Sequence, residues 1–459
     1  MATTTLNTNE VDVLMQMTEK KKISTYTIFI PKEDGTFIVA NTLSGAIIHI
    51  NDETYYDELA AVMSGDSLAF NENSEMHRHF YDSGVFVDDD IDEYQMALYH
   101  HDRGVVRDTA LRLILLTTRQ CNLRCSYCYE DFRNEYMSDE TYESILAHIE
   151  ISLKNKLYSS VTLSLFGGEP FLQFDKVLGF LKRAKAICDM YEIPFASNAT
   201  TNFTLVTKER FAALAEVNCN YYQVTVDGFS ETHDARRMCV DGSGSFNTII
   251  KNLLDAKQCD YSYKIAIRTN FDEETAKSLE KFYDYIKENF DDPRFSIQPY
   301  NVAKMGGKND ENLDIHDSEQ AFDVLSRASK VAHNLGIDNQ LFMAYSMPYS
   351  GICYASKFNH YLVDCDGALL KCTLALDSDC NKVGQLSSDG SLEINHVKHC
   401  KWVNRENMIR PECKSCDIFP VCFGKGCPLH TIGGDTGGCD KENLRLHLIS
   451  NIESLACLI

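Results

Sequence analysis

Cys121-Asn-Leu-Arg-Cys125-Ser-Tyr-Cys128 puts three thiols on eight residues, at the spacing C-x3-C-x2-C, with an aromatic ring just before the last. Three thiolates on one tight loop can hold three irons of a [4Fe–4S] cube and leave the fourth iron open to a small molecule. A second concentration of thiols lies near the other end: Cys353-x13-Gly367-x4-Cys372, then Cys413-x2-Cys416-x5-Cys422-x4-Cys427, then Cys439. Closely spaced cysteine pairs also suit tetrahedral zinc, so this second set alone leaves its metal open. Three further motifs carry polar chemistry: Gly167-Gly168-Glu169-Pro170, Thr225-Val-Asp-Gly228 and His233-Asp-Ala-Arg236-Arg237.

The bulk properties narrow the setting for this chemistry. A chain of 459 residues exceeds what one core usually organises, so two or three domains are expected. A formal charge of −23 excludes a nucleic-acid partner, because binding phosphates needs a basic surface. No apolar run is long enough to cross a bilayer, and Met1 to Glu10 lacks the basic-then-apolar layout of a secretory signal. With no such signal, the 18 cysteines read as reduced cytoplasmic thiols and metal ligands, not as disulfides.

The elements that must position these residues fall into four stretches. Residues 1–105 read as a small α+β unit. In it, Tyr26–Pro31 and Thr36–Ala40 flank a turn at Glu33–Gly35, Ile47–Ile50 adds a third strand, and helices follow around Tyr56–Met63 and Met76–Tyr81. Three strands with helices after them suggest a winged-helix-like module whose strand edge could accept another chain. Residues 106–315 alternate strand and helix. β-rich runs at Leu111–Thr118, Val161–Phe166, Phe195–Asn202, Tyr221–Asp227, Lys264–Asn270 and Phe295–Tyr300 predict a parallel sheet, either a partial (β/α)6 barrel or open and doubly wound. In both forms ligands gather beyond the C-terminal strand ends, where the cysteine triplet, the Gly-Gly motif and Asp227-Gly228 fall. Residues 316–345 read as a helical bridge, within a helical pattern running from Asp310 to Leu341. Residues 346–459 read as an irregular, Cys-rich domain that relies on metal for stability.

The triplet, the Gly-Gly-Glu-Pro motif and the Cys-rich tail together resemble the radical S-adenosylmethionine (SAM) superfamily, and within it the SPASM-type peptide-modifying enzymes. That resemblance implies a partial barrel with a leader-binding domain before it and a Cys-rich iron–sulfur domain after it. It also implies SAM and three [4Fe–4S] clusters as cofactors. Cys121, Cys125 and Cys128 would hold the first, catalytic cluster, whose open iron chelates SAM and whose electron releases methionine and a 5′-deoxyadenosyl radical. Gly167, Gly168 and Glu169 would grip the methionine amine, and Tyr127 would lie near the adenine. Thr225 stands where relatives often have Ser. Arg237 is expected near the SAM carboxylate, with Arg236 as a competitor. Cys413, Cys416, Cys422 and Cys439 would bind a distal cluster. Cys353, Cys372 and Cys427 would bind a nearer one, although relatives usually have one residue fewer between Cys422 and Cys427. Cys365 is the spare candidate for a fourth ligand, Cys380 and Cys400 are unassigned, and Cys188, Cys219, Cys239, Cys259 and Cys457 read as plain thiols.

On this resemblance the substrate is a Cys-containing, ribosomally made precursor peptide, held through its leader, and the reaction joins a Cys sulfur to a carbon of an acceptor residue. A flavodoxin- or ferredoxin-like protein would supply electrons, with no nucleic-acid or membrane partner. Carbon–carbon or ether cross-linking is an alternative, as is Cys or Ser oxidation in a sulfatase. Thr373 disfavours the sulfatase branch, because the sulfatase maturases compared carry Asp directly after the cysteine matching Cys372. A non-catalytic metal-binding regulator is the alternative from another class.

Overall fold

The computed structural model describes residues 21–456, apart from 33, 53–54, 64–69, 72, 107–108, 340–347, 349–351, 405–408, 426, 433–438 and 440. At the N-terminus, β1 (Lys21–Ile23) pairs antiparallel with β5 (Phe86–Asp88). Between them, β2 (Thr27–Pro31), β3 (Phe37–Asn41) and β4 (Ile47–Ile50) form an antiparallel sheet in that order. Alternation along these strands gives the sheet two apolar faces. Val39 and Ile50 pack under the helices Tyr56–Met63 and Glu75–Asp82 through Leu59, Met76 and Phe80. Ile28, Ile30, Ile38 and Ala40 pack against Ile418, Val421, Leu448 and Ile452. The N-terminal sheet therefore shares a core with the C-terminal Cys-rich segment, and Thr42 Oγ1 donates to the Asp417 carbonyl at 2.6 Å across that seam. A helix over Glu93–Val106, which the acidic run before it conceals in the sequence, closes the unit.

Six parallel strands follow: β6 (Ala110–Thr118), β8 (Ser160–Gly167), β9 (Phe195–Thr201), β10 (Cys219–Thr225), β12 (Lys264–Phe271) and β13 (Phe295–Asn301). The short strands β7 (Leu123–Cys125) and β11 (Arg237–Cys239) leave this series and pair with each other. Each of the six lies beside its predecessor in the series, so the sheet is singly wound, as in a barrel, and no reversal of order occurs. Leu111, Leu113, Leu115, Val161, Leu163 and Leu165 face one layer of helices, among them Asp139–Lys154, which starts where Ser138 Oγ accepts the Thr141 N–H at 3.0 Å.

The C-terminal stretch differs from the expectation of an irregular domain. The helix Ser318–Leu335 ends at left-handed Gly336 and leads into β14 (Asp338–Asn339), parallel to β13, so the bridge is one more βα unit packed on the sheet. On the other side, β15 (His360–Val363) pairs parallel with β6. β16 (Ala368–Leu370), β17 (Lys382–Leu386) and β18 (Leu392–Ile394) continue antiparallel, giving eleven strands in one sheet among the described residues. These strands are short and interrupted by Gly and Asp turns, which hides their period in the sequence. They are nonetheless buried: Leu362 and Leu370 close on Leu116, while Val363, Leu369, Val383 and Trp402 join the main core. No described helix is long and apolar enough to cross a membrane.

If the C-terminal strands belong to the main core, Leu362→Ala costs about 2–5 kcal/mol, the usual loss for a buried Leu that leaves a cavity. The urea midpoint should fall accordingly, whereas an unchanged midpoint would mean that β15 is not part of the cooperative core.

Candidate functional site

Beyond the C-terminal ends of the parallel strands lies an open cavity of about 1000 Å³. Its wall includes Cys121, Cys125, Cys128, Tyr127, Gly167, Gly168, Thr225 and Arg237, so eight residues singled out from sequence meet in one place. The glycines act by letting two loops touch. Glu169 N–H donates to the Gln120 carbonyl at 2.9 Å, directly before the first cysteine. A Cβ on Gly168 would sit 2.3 Å from that same oxygen, and one on Gly167 (φ 115°) would sit 2.1 Å from the Thr118 carbonyl. Any side chain here pushes the cysteine loop off the barrel.

A second constraint comes from β7 and β11, which pair so that Cys125 lies opposite Arg237. The Arg237 side chain is buried in the cavity wall. Its Nη1 donates to Tyr127 Oη at 2.6 Å, and its Nε has no partner among the described residues. Tyr127 donates in turn to Asp227, and Asn270 Nδ2 donates to Tyr127 Oη at 3.1 Å. Arg236 is spent elsewhere, on the Asn270 carbonyl, Asp272 and Thr275. Of the two adjacent arginines, Arg237 faces the cavity.

His233 fixes this arrangement from behind. Its Nδ1 accepts the Asp227 N–H at 3.1 Å, which makes Nε2 the protonated nitrogen. Nε2 lies 3.0 Å from Ser245 Oγ, and that hydroxyl donates to the Arg237 carbonyl at 2.7 Å. Burial, and next the Arg237 charge, push the His233 pKa down to about 3.

The Glu169 side chain turns away from the cavity. It is fully buried and absent from the cavity wall, and its carboxylate accepts from Thr201 Oγ1 at 2.8 and 3.0 Å and from the backbone N–H of Asn202 and Phe171. Burial pushes it up to about 7 against those bonds. The side chain thus ties the Gly-Gly loop to the end of β9, and Gly168 is the part of the motif that meets the cavity. Sequence reasoning missed Thr200, Asn202, Gln223, Arg268 and Asn270. They sit in the C-terminal halves of the strands or just past them, and that position was the available signal.

Burial raises all three loop thiols, Cys128 up to about 12, so each stays neutral until a metal displaces its proton. No three His, Cys, Asp or Glu side chains among the described residues converge on one point, as a single ion requires. A cube takes its thiolates at separate corners and does not need that convergence. The Leu123 N–H points at Cys121 Sγ from 3.4 Å, a bond that favours the thiolate. The loop therefore fits an iron–sulfur cube, and the unpartnered Arg237 Nε beside it fits an anionic ligand.

The other cysteines form two groups. Cys413, Cys416, Cys422 and Cys439 line one small cavity of about 360 Å³, and the Arg410 N–H points at Cys413 Sγ from 3.4 Å. Cys353, Cys372 and Cys427 are neighbours: Cys427 and Cys372 help raise the Cys353 thiol, Cys427 helps raise that of Cys372, and the Leu374 N–H points at Cys372 Sγ from 3.4 Å. The extra residue before Cys427 coincides with a kink where Phe423 (φ 44°) and Gly424 (φ 74°) are both left-handed. Cys365 turns away and donates to the Leu116 carbonyl at 3.1 Å, so it does not join the trio. Cys188, Cys219 and Cys259 are buried thiols, Cys239 is partly buried, and Cys457 lies outside the described residues.

Residues 115–286 match the Radical SAM superfamily. The chain carries a radical SAM domain. It is 26% identical over 226 residues to the Fe-coproporphyrin III synthase of Methanosarcina barkeri, covering 48% of this chain and only 51% of that protein. The radical SAM cyclopropyl synthase TigE of Paramaledivibacter caminithermalis matches more fully, 20% identical over 92% of this chain and 94% of its own length. Among solved structures, anSMEcpe with bound AdoMet and Cp18Cys peptide superposes at a TM-score of 0.59, with 19% identity, over 76% of this chain and 99% of its own. Streptococcus suis SuiB bound to its precursor peptide SuiA gives 0.50 with 16% identity, over 89% and 95%. At these identities the solved structures show a shared fold.

Two outcomes check the site. Gly168→Ala should displace the cysteine loop and lower the iron bound there at least tenfold, while full iron retention would contradict the close loop contact. His233 is neutral when folded, and the unfolded chain takes up its proton near the ordinary value of 6.5. Stability from this group is therefore present above about pH 6.5 and is lost as pH falls toward 3. His233→Gln should show a shallower loss of melting temperature over that window than the wild type, and equal slopes would contradict the neutral, buried imidazole.

Proposed function

We propose that this protein is a radical SAM peptide maturase that cross-links a ribosomally made precursor, joining a Cys sulfur to a carbon of an acceptor residue. The observation that carries the reading is the single cavity that gathers the cysteine loop, Tyr127, Gly168 and Arg237 at the strand ends. When bound, the cluster supplies one electron to the sulfonium of SAM, which yields methionine and a 5′-deoxyadenosyl radical. Arg237, its Nε free, holds the SAM carboxylate. The Gly167–Gly168 backbone approaches the methionine amine, and the Tyr127 ring, fixed through its hydroxyl, bounds the adenine. Thr225 at the end of β10 and Asn270 near the end of β12 line the same cavity and offer hydrogen bonds to the remaining polar groups.

The trio Cys353, Cys372 and Cys427 would hold one auxiliary [4Fe–4S] cluster, and the quartet Cys413, Cys416, Cys422 and Cys439 the other. Three thiolates instead of four leave a corner suited to a substrate thiolate, and this favours thioether formation over carbon–carbon linkage. Thr373, whose N–H and hydroxyl both engage Tyr354 Oη, stands where a sulfatase maturase would need a carboxylate base. A cytoplasmic setting with a flavodoxin- or ferredoxin-like donor suits the reduced thiols.

The leader segment would bind the N-terminal unit. Among the described residues β4 pairs with β3 alone, and a groove of about 640 Å³ runs between β4 and the helix Glu75–Asp82, lined by Ile48, Ile50, Tyr55, Met76 and Phe80. A peptide strand added along that edge gains main-chain hydrogen bonds and lays alternate side chains into the groove.

With SAM and a reductant under anaerobic conditions, the protein should form 5′-deoxyadenosine, and the precursor should lose two hydrogens per link. Cys125→Ser should abolish both, and product from that variant would refute the reading. Cys413→Ser should lower iron content by about a third while leaving the first cluster's SAM cleavage measurable. Ile48→Asp should weaken precursor binding at least tenfold, and unaltered affinity would remove the leader from this edge.

A further inference from the structure

The wall of the same cavity also holds two hydrogen-bond acceptors with no partner among the described residues. Glu130 Oε2, two residues after the third loop cysteine, is buried and has no partner. Asn301 Oδ1, at the end of β13, is likewise buried and without a partner. They come from different elements and line the same cavity. Buried acceptors are normally paired, and an unpaired carboxylate oxygen is the costlier kind, so two in one cavity mark where a ligand supplies donors.

Two cations, Arg268 and Arg119, are already committed. Arg268 Nε donates to Asn270 Oδ1 at 2.8 Å, and its guanidinium lies 3.9 Å from the centre of the Tyr300 ring. Arg119 influences Glu130 electrostatically, but Asp364 holds its Nη2 at 2.5 Å and Asp377 its Nη1 at 2.8 Å. A ligand that satisfies both acceptors brings a positive or N–H-rich group. The net charge of −23 also draws cations toward the protein.

Resting on the peptide reading above, we propose that Glu130 and Asn301 form a receptor for a cationic side chain, lysine or arginine, of the substrate peptide. Its ammonium or guanidinium donates to Glu130 Oε2 and Asn301 Oδ1. This fixes the register of the peptide, so that the carbon to be attacked, close by in sequence, lies over the SAM site. Glu130 and Asn301 are thus specificity-determining residues.

The test uses the full chain, reconstituted anaerobically with SAM, and three probes: the amidated tripeptides Ac-Gly-Lys-Gly-NH2, Ac-Gly-Arg-Gly-NH2 and Ac-Gly-norleucine-Gly-NH2. Saturation-transfer NMR should show the lysine or the arginine probe binding at least tenfold tighter than norleucine, and the stronger of the two names the cation. Glu130→Gln should erase that preference, and Asn301→Ala should reduce it severalfold. Equal affinity for all three probes overturns the proposal, even if Glu130→Gln weakens all of them, because the donor is then the peptide backbone. A severalfold rise in the dissociation constant for SAM in Glu130→Gln, measured by equilibrium dialysis, also overturns it by assigning the carboxylate to SAM. So does a lowered melting temperature for that variant, which would mark a structural role. Formation of 5′-deoxyadenosine by the wild type in the same preparation checks the underlying peptide-maturase reading separately.

Discussion

The site depends on one close approach of backbone: the Gly167–Gly168 loop lying against the carbonyls of Thr118 and Gln120, where even a methyl group would collide. That contact sets where β6 releases the chain into Cys121-x3-Cys125-x2-Cys128. The three-residue pairing of β7 with β11 then holds the far side of the loop and puts Cys125 opposite Arg237. The cluster loop is thus clamped between two strand ends of the barrel, and the catalytic geometry is a property of the sheet as well as of the cysteines.

Electrostatics follow from that clamp. The loop thiols are buried and held neutral until iron displaces their protons. Beside them Arg237 is fixed through both its side chain and its carbonyl, by Tyr127 and by the His233–Ser245 chain. An anionic ligand would find the Arg237 guanidinium already set, which lowers the cost of ordering the site.

Much of this was legible in the residues. The six parallel strands appear within a residue or two of their expected limits, because alternation such as Val161, Leu163, Leu165 carries a clear period. The cysteine triplet, Tyr127, Gly168, Thr225 and Arg237 meet as their places after strand ends implied. The direction of the Glu169 side chain was not legible, since nothing in a Gly-Gly-Glu motif tells whether the carboxylate points to ligand or to strand. The C-terminal segment was read as irregular because its four strands span three to five residues each, too few for periodicity, and the first of them, β15, joins the sheet by pairing with β6 far back in the chain. The shared core between the N-terminal sheet and the C-terminal helix was hidden for the same reason: it joins Ile28 to Leu448, and no local pattern reports such a contact.

That an open-cornered cube sits on the first loop and meets SAM beside Arg237 is the claim everything else requires. Low-temperature electron paramagnetic resonance of the reduced, reconstituted protein tests it most directly. The account predicts that the cluster signal changes when SAM is added and that Arg237→Ala needs far more SAM for the same change. A signal indifferent to SAM, or a SAM-induced change that survives in Cys125→Ser, would contradict it.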